Sequence, residues 1–154
     1  MRARDLIEPF PTVGLDTDAL QAAQMMGSHG LPGLIVCSED GSPYTVLPGS
    51  EVLRFVIPRY VQDNPALARA YDEKTSDELC GKLVGSTVRD MLPAKPEMDE
   101  LPVVDHDATT IEVAAVMARM HSPLVAVVDG SRLLGAITVS RLLGHWIPEA
   151  PGRP

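Results

Sequence analysis

The chain repeats itself, and this internal repeat constrains the fold more than any other feature of the sequence. Residues 109–117 match residues 18–26 at an offset of 91, and both segments place apolar residues at helical spacing. Each segment opens with the pattern of a capping box, in which Asp18 or Thr109 is the cap and an amide or acid side chain follows three residues later. The sequence therefore predicts two copies of one unit, each with an amphipathic helix.

The matching segments continue into paired strands. Pro32 lies over Pro123 at the same offset, and each proline opens an apolar run that ends in Asp-Gly. An apolar run closed by Asp-Gly is typical of a strand that enters a hairpin turn. A second short strand follows in each copy, and a second helix begins near Ser50 and near Ser140. The predicted unit is therefore a short strand, a helix, two strands and a helix.

The domain organisation follows from the same comparison. Residues 4–7 resemble residues 89–92, which indicates that a lead-in segment precedes each copy. Between the copies, Asn64-Pro65 and Thr75-Ser76 indicate the starts of two short helices. We predict a first repeat with its lead-in at 1–60, a helical linker at 61–85, a second repeat at 86–148 and a C-terminal tail at 149–154. The second copy also carries an insertion, residues 95–100, which is either a cover for a cleft or a plain loop.

One copy alone is too small to bury both faces of its sheet. We therefore expect an α/β fold of the α+β type, in which two β-α-β-β-α repeats pack together as one pseudo-twofold module. Such a module presents flat apolar helix faces that a chain of 154 residues cannot itself cover. A homodimer is expected for that reason.

Composition and charge exclude several classes of partner. The chain is 45% hydrophobic and 22% charged, close to the average of globular proteins, so a packed core is expected. The net charge of −8 opposes binding to nucleic acid or to anionic lipid. The apolar runs are far shorter than the roughly 20 residues that a membrane helix needs. The N-terminal segment carries acidic residues at the positions where a signal peptide has its apolar stretch. We expect a soluble, cytoplasmic protein without membrane insertion.

The sequence carries no recognisable catalytic or metal-binding motif. Cys37 and Cys80 fit no redox or metal spacing, and we expect both to be reduced, with Cys37 buried in a strand. The four histidines are dispersed, and the acidic pairs lack the spacing of a calcium loop. Neither a nucleophile motif nor a glycine-rich phosphate loop is present. We therefore expect no enzymatic activity, no metal site and no obligatory cofactor.

The doubled unit resembles the CBS domain, and two such units in tandem resemble a Bateman module across residues 4–147. The second copy is the better match, because its helix start at Thr109, its strand from Pro123 to Asp-Gly and its Gly-Ala-Ile-Thr ending at Thr138 follow the family's order and spacing. The resemblance implies clefts between the paired units that bind AMP, ADP, ATP or S-adenosylmethionine. It also implies that the module is a sensor rather than a catalyst.

The resemblance further implies which residues would contact such a ligand, at the strand ends and at the start of the second helix, where amides can meet phosphate. These positions are Thr12, Val13, Pro32, Gly33, Pro48, Ser50 and Glu51 in the first copy, and Val103, Pro123, Leu124, Thr138, Ser140 and Arg141 in the second.

Both copies depart from the family's signature of glycine, two apolar residues, Thr or Ser, two further residues and Asp. The first copy has Pro48 in place of the hydroxyl but keeps an acid as Glu51, whereas the second keeps Thr138 but has Arg141 in place of the acid. Arginine has only donors, so it cannot accept from ribose hydroxyls, although it can bind phosphate in a bidentate manner. At most one complete adenosine site is expected.

Two functional hypotheses follow. The first is a non-catalytic regulatory module that binds an adenosine-type nucleotide between its repeats and signals to a partner protein. The alternative is a ligand-free dimeric interaction or scaffold module with degenerate clefts, accessory to an enzyme or transporter. The sequence leaves two hypotheses open for Glu51, that it is a ribose ligand or that it is an acid favoured by the helix dipole. It also leaves two hypotheses open for Arg141: the side chain is either a phosphate ligand, or an arginine that is exposed or forms an ion pair between subunits.

Overall fold

The computed structural model describes residues 1–93 and 101–148, so the predicted insertion at 95–100 and the predicted tail at 149–154 lie outside the described residues. The strands are β1 Thr12–Gly14, β2 Gly33–Cys37, β3 Pro43–Pro48, β4 Val103–Asp105, β5 Leu124–Asp129 and β6 Arg132–Thr138. The α-helices are α1 Ala19–Ser28, α2 Gly49–Val56, α3 Arg59–Asp63, α4 Glu73–Cys80, α5 Val88–Met91, α6 Thr110–Met120 and α7 Val139–Trp146. Short 3₁₀ helices span Ala3–Asp5, Pro65–Ala70 and Gly81–Leu83.

The strands form two three-stranded sheets with the same topology, β1-β2-β3 and β4-β5-β6. In each sheet the short first strand runs parallel to the central strand, and the third strand is antiparallel to it. Val13 lies opposite Val36 and Val104 opposite Val127, so the offset of 91 extends to the strand register. An irregularity in the hairpin follows Val36 and, equivalently, Val127. The predicted fold class and repeat order are confirmed.

Each lead-in segment packs on the other repeat. The Ala3 amide donates to the Ala108 carbonyl over 2.8 Å, within the second repeat, whereas the Val88 amide donates to the Thr17 carbonyl over 2.9 Å, within the first. Leu6 is fully buried and belongs to the apolar core of the second repeat. The core of each repeat is thus completed by a segment that precedes the other repeat in the chain.

An arginine–aspartate pair marks both of these junctions. Arg4 contacts Asp107, and Arg89 lies 3.3 Å from Asp16 at the equivalent place in the first repeat. All four side chains are more than half exposed, so each pair contributes below about 1 kcal/mol. The burial of apolar lead-in side chains, rather than these ion pairs, therefore holds the lead-in segments in place.

A third apolar cluster joins the two sheets. It consists of Ile35 and Val46 from the first sheet and Leu124, Ala126 and Ala136 from the second, all of them buried. These strand positions are apolar on both faces because one face packs on helices and the other on the opposite sheet. The expectation that the two copies pack together is confirmed by this cluster.

The helix starts confirm one predicted cap and contradict another. The Thr109 hydroxyl accepts from the Glu112 amide over 3.2 Å, as expected for the cap of α6. Asp18 makes no side-chain cap at α1, so the prediction there is wrong. The first amide of α1, that of Ala19, donates to the Ser86 carbonyl of the exchanged lead-in over 2.8 Å. The exchanged lead-in therefore contacts the start of this helix, which a comparison of sequence segments does not show.

The helices between the repeats begin earlier than Thr75-Ser76 indicates. Helix α4 starts at Glu73, and the Asp72 carboxylate accepts from the Thr75 amide over 2.9 Å. Thr75 is therefore a donor in the first turn rather than the cap. Pro65 does open a helical segment, of 3₁₀ type, although the Asn64 side chain does not cap it.

The crossing of the first lead-in over β6 leaves no room for a side chain at Gly135. The Glu8 amide donates to the Ala136 carbonyl over 2.9 Å, and a Cβ on Gly135 would lie 2.6 Å from the Glu8 carbonyl oxygen. We expect Gly135→Ala to lower the free energy of unfolding by about 1–3 kcal/mol, measured by urea denaturation. The control is Gly144→Ala in α7, which meets nothing within 4 Å and should be neutral or stabilising. Equal denaturation midpoints for the two variants would contradict this packing.

Candidate functional site

The second helix of each repeat begins directly at the end of the hairpin, beside a predicted ligand-binding proline. The Gly49 amide donates to the Pro32 carbonyl and the Val139 amide to the Pro123 carbonyl, each over 3.0 Å. These two interactions fix the angle at which α2 and α7 leave their sheets. They also use the first amide of each helix, which is therefore not available to a phosphate.

Glu51 lies in the first turn of α2 and lines an open cleft of about 490 Å³, which we call the first cleft. Met91, Leu92 and Pro93, from the lead-in of the second repeat, line the same cleft. The Glu51 side chain is 22% exposed, and its carboxylate lies 3.0 Å from the Arg54 guanidinium. The predicted acid of the first copy therefore faces a cleft to which both the first repeat and the second lead-in contribute.

Three basic side chains line this first cleft, and sequence reasoning missed all three. They are Arg54 in α2, Arg59 at the start of α3 and Lys82 in the 3₁₀ helix that follows α4. The Lys82 ammonium lies 5.1 Å from the centre of the Phe55 ring, a cation–π distance. The three are not linked by any spacing in the sequence, and only the fold shows that they share a cleft.

Arg141, the predicted phosphate ligand of the second copy, is tied to the first lead-in. Its Nε donates to the Leu6 carbonyl over 3.3 Å and lies 3.5 Å from a Glu8 carboxylate oxygen. The Thr138 hydroxyl accepts from the Arg141 amide over 3.2 Å and so caps α7. Ser140 places its hydroxyl 3.2 Å from that of Thr138. In the second copy, Thr138, Ser140 and Arg141 thus all form contacts with other residues of the same chain.

The other predicted residues lie at packing positions or at the margins of the sheets. Val13 belongs to the core of the first repeat, Leu124 is buried between the sheets, and a Cβ on Gly33 would lie 2.8 Å from a backbone carbonyl oxygen. Val103 packs beside Leu124 at the junction of the sheets, whereas Thr12 is exposed. The structure therefore does not gather all the predicted residues into one site.

Pro48 and Ser50 stand at the start of α2, close to Glu51 in the chain. Pro48 is the residue before the helix and, having no hydroxyl, makes no side-chain cap, while Ser50 is exposed. Neither residue lines the first cleft as Glu51 does. Of the predicted first-copy positions, Glu51 is the one that the structure places in that cleft.

One group among the described residues has the composition of a metal-ligand set. Asp105, His106 and Asp107 place ligand atoms within 4.8 Å of one another. The Asp107 carboxylate, however, contacts the Arg4 guanidinium, and an arginine at this position competes with a metal cation. The His106 ring also lies 3.7 Å from Asp129. These contacts assign the group to the junction between the first lead-in and the second repeat.

Comparison with known proteins decides the family. The family model of the CBS domain matches residues 88–147, which span the second repeat. A CBS domain-containing protein of unknown function from Kribbella flavida is 54% identical, and the alignment covers 94% of this chain and 97% of that one, with a TM-score of 0.78. This chain belongs to the CBS domain family. Its two CBS repeats form a tandem CBS module, or Bateman module, as the resemblance implied.

More distant CBS proteins share the fold. CBSX2 from Arabidopsis thaliana is 17% identical, covers 93% of this chain and 92% of its own, and has a TM-score of 0.71. A structure of CBSX2 in complex with AMP is 16% identical, covers 93% of both chains and has a TM-score of 0.65.

A search of curated proteins gave no match. Within residues 1–93 and 101–148, no helix has the length and apolar character needed to cross a membrane.

The two thiols of this CBS pair differ in their surroundings. Both are free, but Cys37 is half-buried at the end of β2, less buried than the sequence predicts, and Cys80 is exposed at the end of α4. Burial raises the pKa of the Cys37 thiol above its ordinary value, against the opposing effect of a hydrogen bond from Thr12. A raised pKa leaves less thiolate at a given pH, and the thiolate is the reactive form.

We therefore expect iodoacetamide at pH 8 to modify Cys80 before Cys37, as followed by intact-protein mass spectrometry. In a Cys80→Ser variant, the rate at Cys37 should keep rising as the pH is raised beyond 8, because its thiolate forms late. Thr12→Val should slow the reaction further by removing the hydrogen bond to the thiolate. Equal rates at the two thiols would show that Cys37 is not shielded as the structure describes.

Proposed function

We propose that this CBS pair is a non-catalytic regulatory module that binds an adenosine-type nucleotide in the first cleft and signals its occupancy to a partner protein. The observation that carries the proposal is the position of Glu51. Its carboxylate lies in an open cleft of about 490 Å³, within the size range of small-molecule sites. The corresponding residue of the second copy, Arg141, is instead occupied by the first lead-in.

The chemistry of the first cleft suits a nucleoside. A carboxylate accepts hydrogen bonds only, so Glu51 can accept from both hydroxyls of a ribose. Phe55, Met91 and Leu92 supply apolar surface on the same cleft, against which a planar base can pack. The structure of CBSX2 in complex with AMP supports the proposal as a precedent within the fold.

The construction of the cleft gives a route from ligand to partner. One wall belongs to α2 of the first repeat, and another to the lead-in of the second repeat, whose Met91 is buried in the first repeat's core. A ligand that contacts both walls favours the arrangement of repeats in which it fits best. It can shift that equilibrium only by the difference between its affinities for the two arrangements.

The proposal predicts a nucleotide-dependent gain in stability that depends on Glu51. A ligand at about 100 times its dissociation constant adds about 2.7 kcal/mol, which raises the melting temperature by several degrees. We expect this shift with at least one of AMP, ADP or ATP in a thermal-shift assay, confirmed by calorimetric titration. Glu51→Gln should weaken binding and so reduce the shift at a fixed ligand concentration, and the matched variant Arg141→Gln should retain it.

The engagement of Arg141 with Glu8 and with the Leu6 carbonyl also favours the alternative function. If the first cleft were as unsuited to nucleotides as the second, the protein would be a dimeric interaction or scaffold module, accessory to an enzyme or transporter. A well-folded dimer that shows no shift with any adenosine nucleotide or with S-adenosylmethionine would overturn the proposed sensor and favour this alternative.

We further propose that the module is a homodimer and that α6 and α7 form its interface. These helices border an apolar groove of about 510 Å³, in which Ile111 is 68%, Leu143 42% and Trp146 48% exposed. None of the residues that line this groove is charged. Two copies that each carry a net charge of −8 can therefore meet at this face without placing like charges against one another.

Introducing a charge into the groove should separate the subunits. We expect the wild-type chain to be dimeric and Trp146→Glu to be monomeric by light scattering coupled to gel filtration, because an unpaired carboxylate in an apolar interface is strongly unfavourable. The matched control is Leu67→Glu, which charges a 45% exposed leucine in the linker and should leave the dimer intact. A wild-type monomer at all concentrations would contradict the interface.

A further inference from the structure

The first cleft has the opposite charge to the rest of the protein. The chain carries 13 basic and 21 acidic residues, yet the cleft is lined by three cations and one carboxylate. Arg54, Arg59 and Lys82 are the cations, and Glu51 is the carboxylate. Like charges repel, so their convergence on one concave surface of an acidic protein is favourable when an anion lies between them.

We propose that this cleft selects nucleotides by the length of their phosphate chain, with Arg59 and Lys82 as the phosphate-binding residues. The inference rests on the proposed function for the nucleoside half of the ligand, which Glu51 would hold. It adds the class of ligand, which is a nucleoside diphosphate or triphosphate in preference to a monophosphate. It also disfavours S-adenosylmethionine, whose sulfonium group is itself a cation.

The present partners of the three cations support this assignment. Arg54 is paired with Glu51 over 3.0 Å, and the Lys82 ammonium lies over the Phe55 ring. Arg59 is exposed and forms no ion pair with any residue in 1–93 or 101–148. Arg59 and Lys82 are thus cations without a carboxylate partner in the described part of the chain, and both border the space that Glu51 faces.

The supporting structure around the cations is fixed by hydrogen bonds. The Gln62 side-chain amide donates to the Arg54 carbonyl over 3.1 Å and to the Ile57 carbonyl over 2.8 Å. These bonds connect α3 to the end of α2 and thereby hold Arg59, at the start of α3, on the cleft. Arginine presents a planar set of donors that matches phosphate oxygens, and lysine adds a mobile positive charge.

The test is calorimetric titration of the full chain with AMP, ADP, ATP and inorganic tripolyphosphate, at low and at physiological salt. Affinity should rise from AMP to ADP to ATP, and the preference for ATP should weaken as salt is added. Arg59→Gln and Lys82→Gln should each lower ATP affinity on the order of tenfold and AMP affinity less, because they remove charge-assisted contacts to the outer phosphates. The matched control, Arg69→Gln, removes an exposed linker arginine outside the cleft and should leave ATP affinity unchanged.

Glu51→Gln separates this inference from the proposed function. If both hold, this variant weakens ATP and leaves tripolyphosphate binding undiminished, since the polyphosphate has no ribose. AMP binding as tightly as ATP, with Arg59→Gln and Lys82→Gln without effect, would overturn the phosphate selection and leave the nucleoside site standing. Tripolyphosphate binding that depends on both cations, with no nucleotide bound more tightly, would support the polyanion site and overturn the nucleoside one. Absence of binding by all four compounds would overturn both.

Discussion

The exchange of lead-in segments is the constraint on which the rest of this structure depends. Leu6 completes the apolar core of the second repeat, and Met91 completes that of the first, so neither core is closed by its own repeat. Removing a buried leucine or methionine from such a core costs about 2–5 kcal/mol, a large part of the stability of a small domain. The two repeats therefore depend on each other for a closed core, and the first cleft has walls from both the first repeat and the second lead-in.

This exchange also explains how a symmetric backbone forms two different clefts. Each second helix begins beside the lead-in of the other repeat, so the residue in its first turn faces that segment. In the second repeat this residue is Arg141, and it binds the Leu6 carbonyl and the Glu8 carboxylate of the lead-in. In the first repeat it is Glu51, which pairs with Arg54 of its own helix and makes no hydrogen bond to the described part of the second lead-in, so a cleft lies between them. The sign of one side chain thus separates an occupied junction from an available site.

Features that depend on residues close together in the chain could be predicted from the sequence, whereas features that depend on distant residues could not. The two helices that follow the strands in each repeat, the hairpins and the cap at Thr109 follow from local patterns and from the offset of 91, and the structure confirms them. The Asp18 cap is wrong, although the same position in the second repeat is capped by Thr109, so the spacing alone does not decide whether the side chain turns back to the helix. Glu51 was identified from the family signature. The cations beside it were not, because Arg59 and Lys82 are 23 residues apart in the chain and share the cleft only in the folded structure.

In the proposed nucleotide site, the segment that follows α2 has a chemical role as well as a structural one. The repeats provide the backbone of the cleft and the acid at its edge, features that the CBS signature describes. Arg59 opens α3, which runs from the end of the first repeat into the linker, and Lys82 lies in the linker, so both stand outside the residues of that signature. A change of charge in the linker alters the potential inside the cleft without disturbing either sheet, because both side chains are exposed. In the proposed nucleotide site, the repeats position the ligand, and the cations of α3 and the linker set how much negative charge it carries.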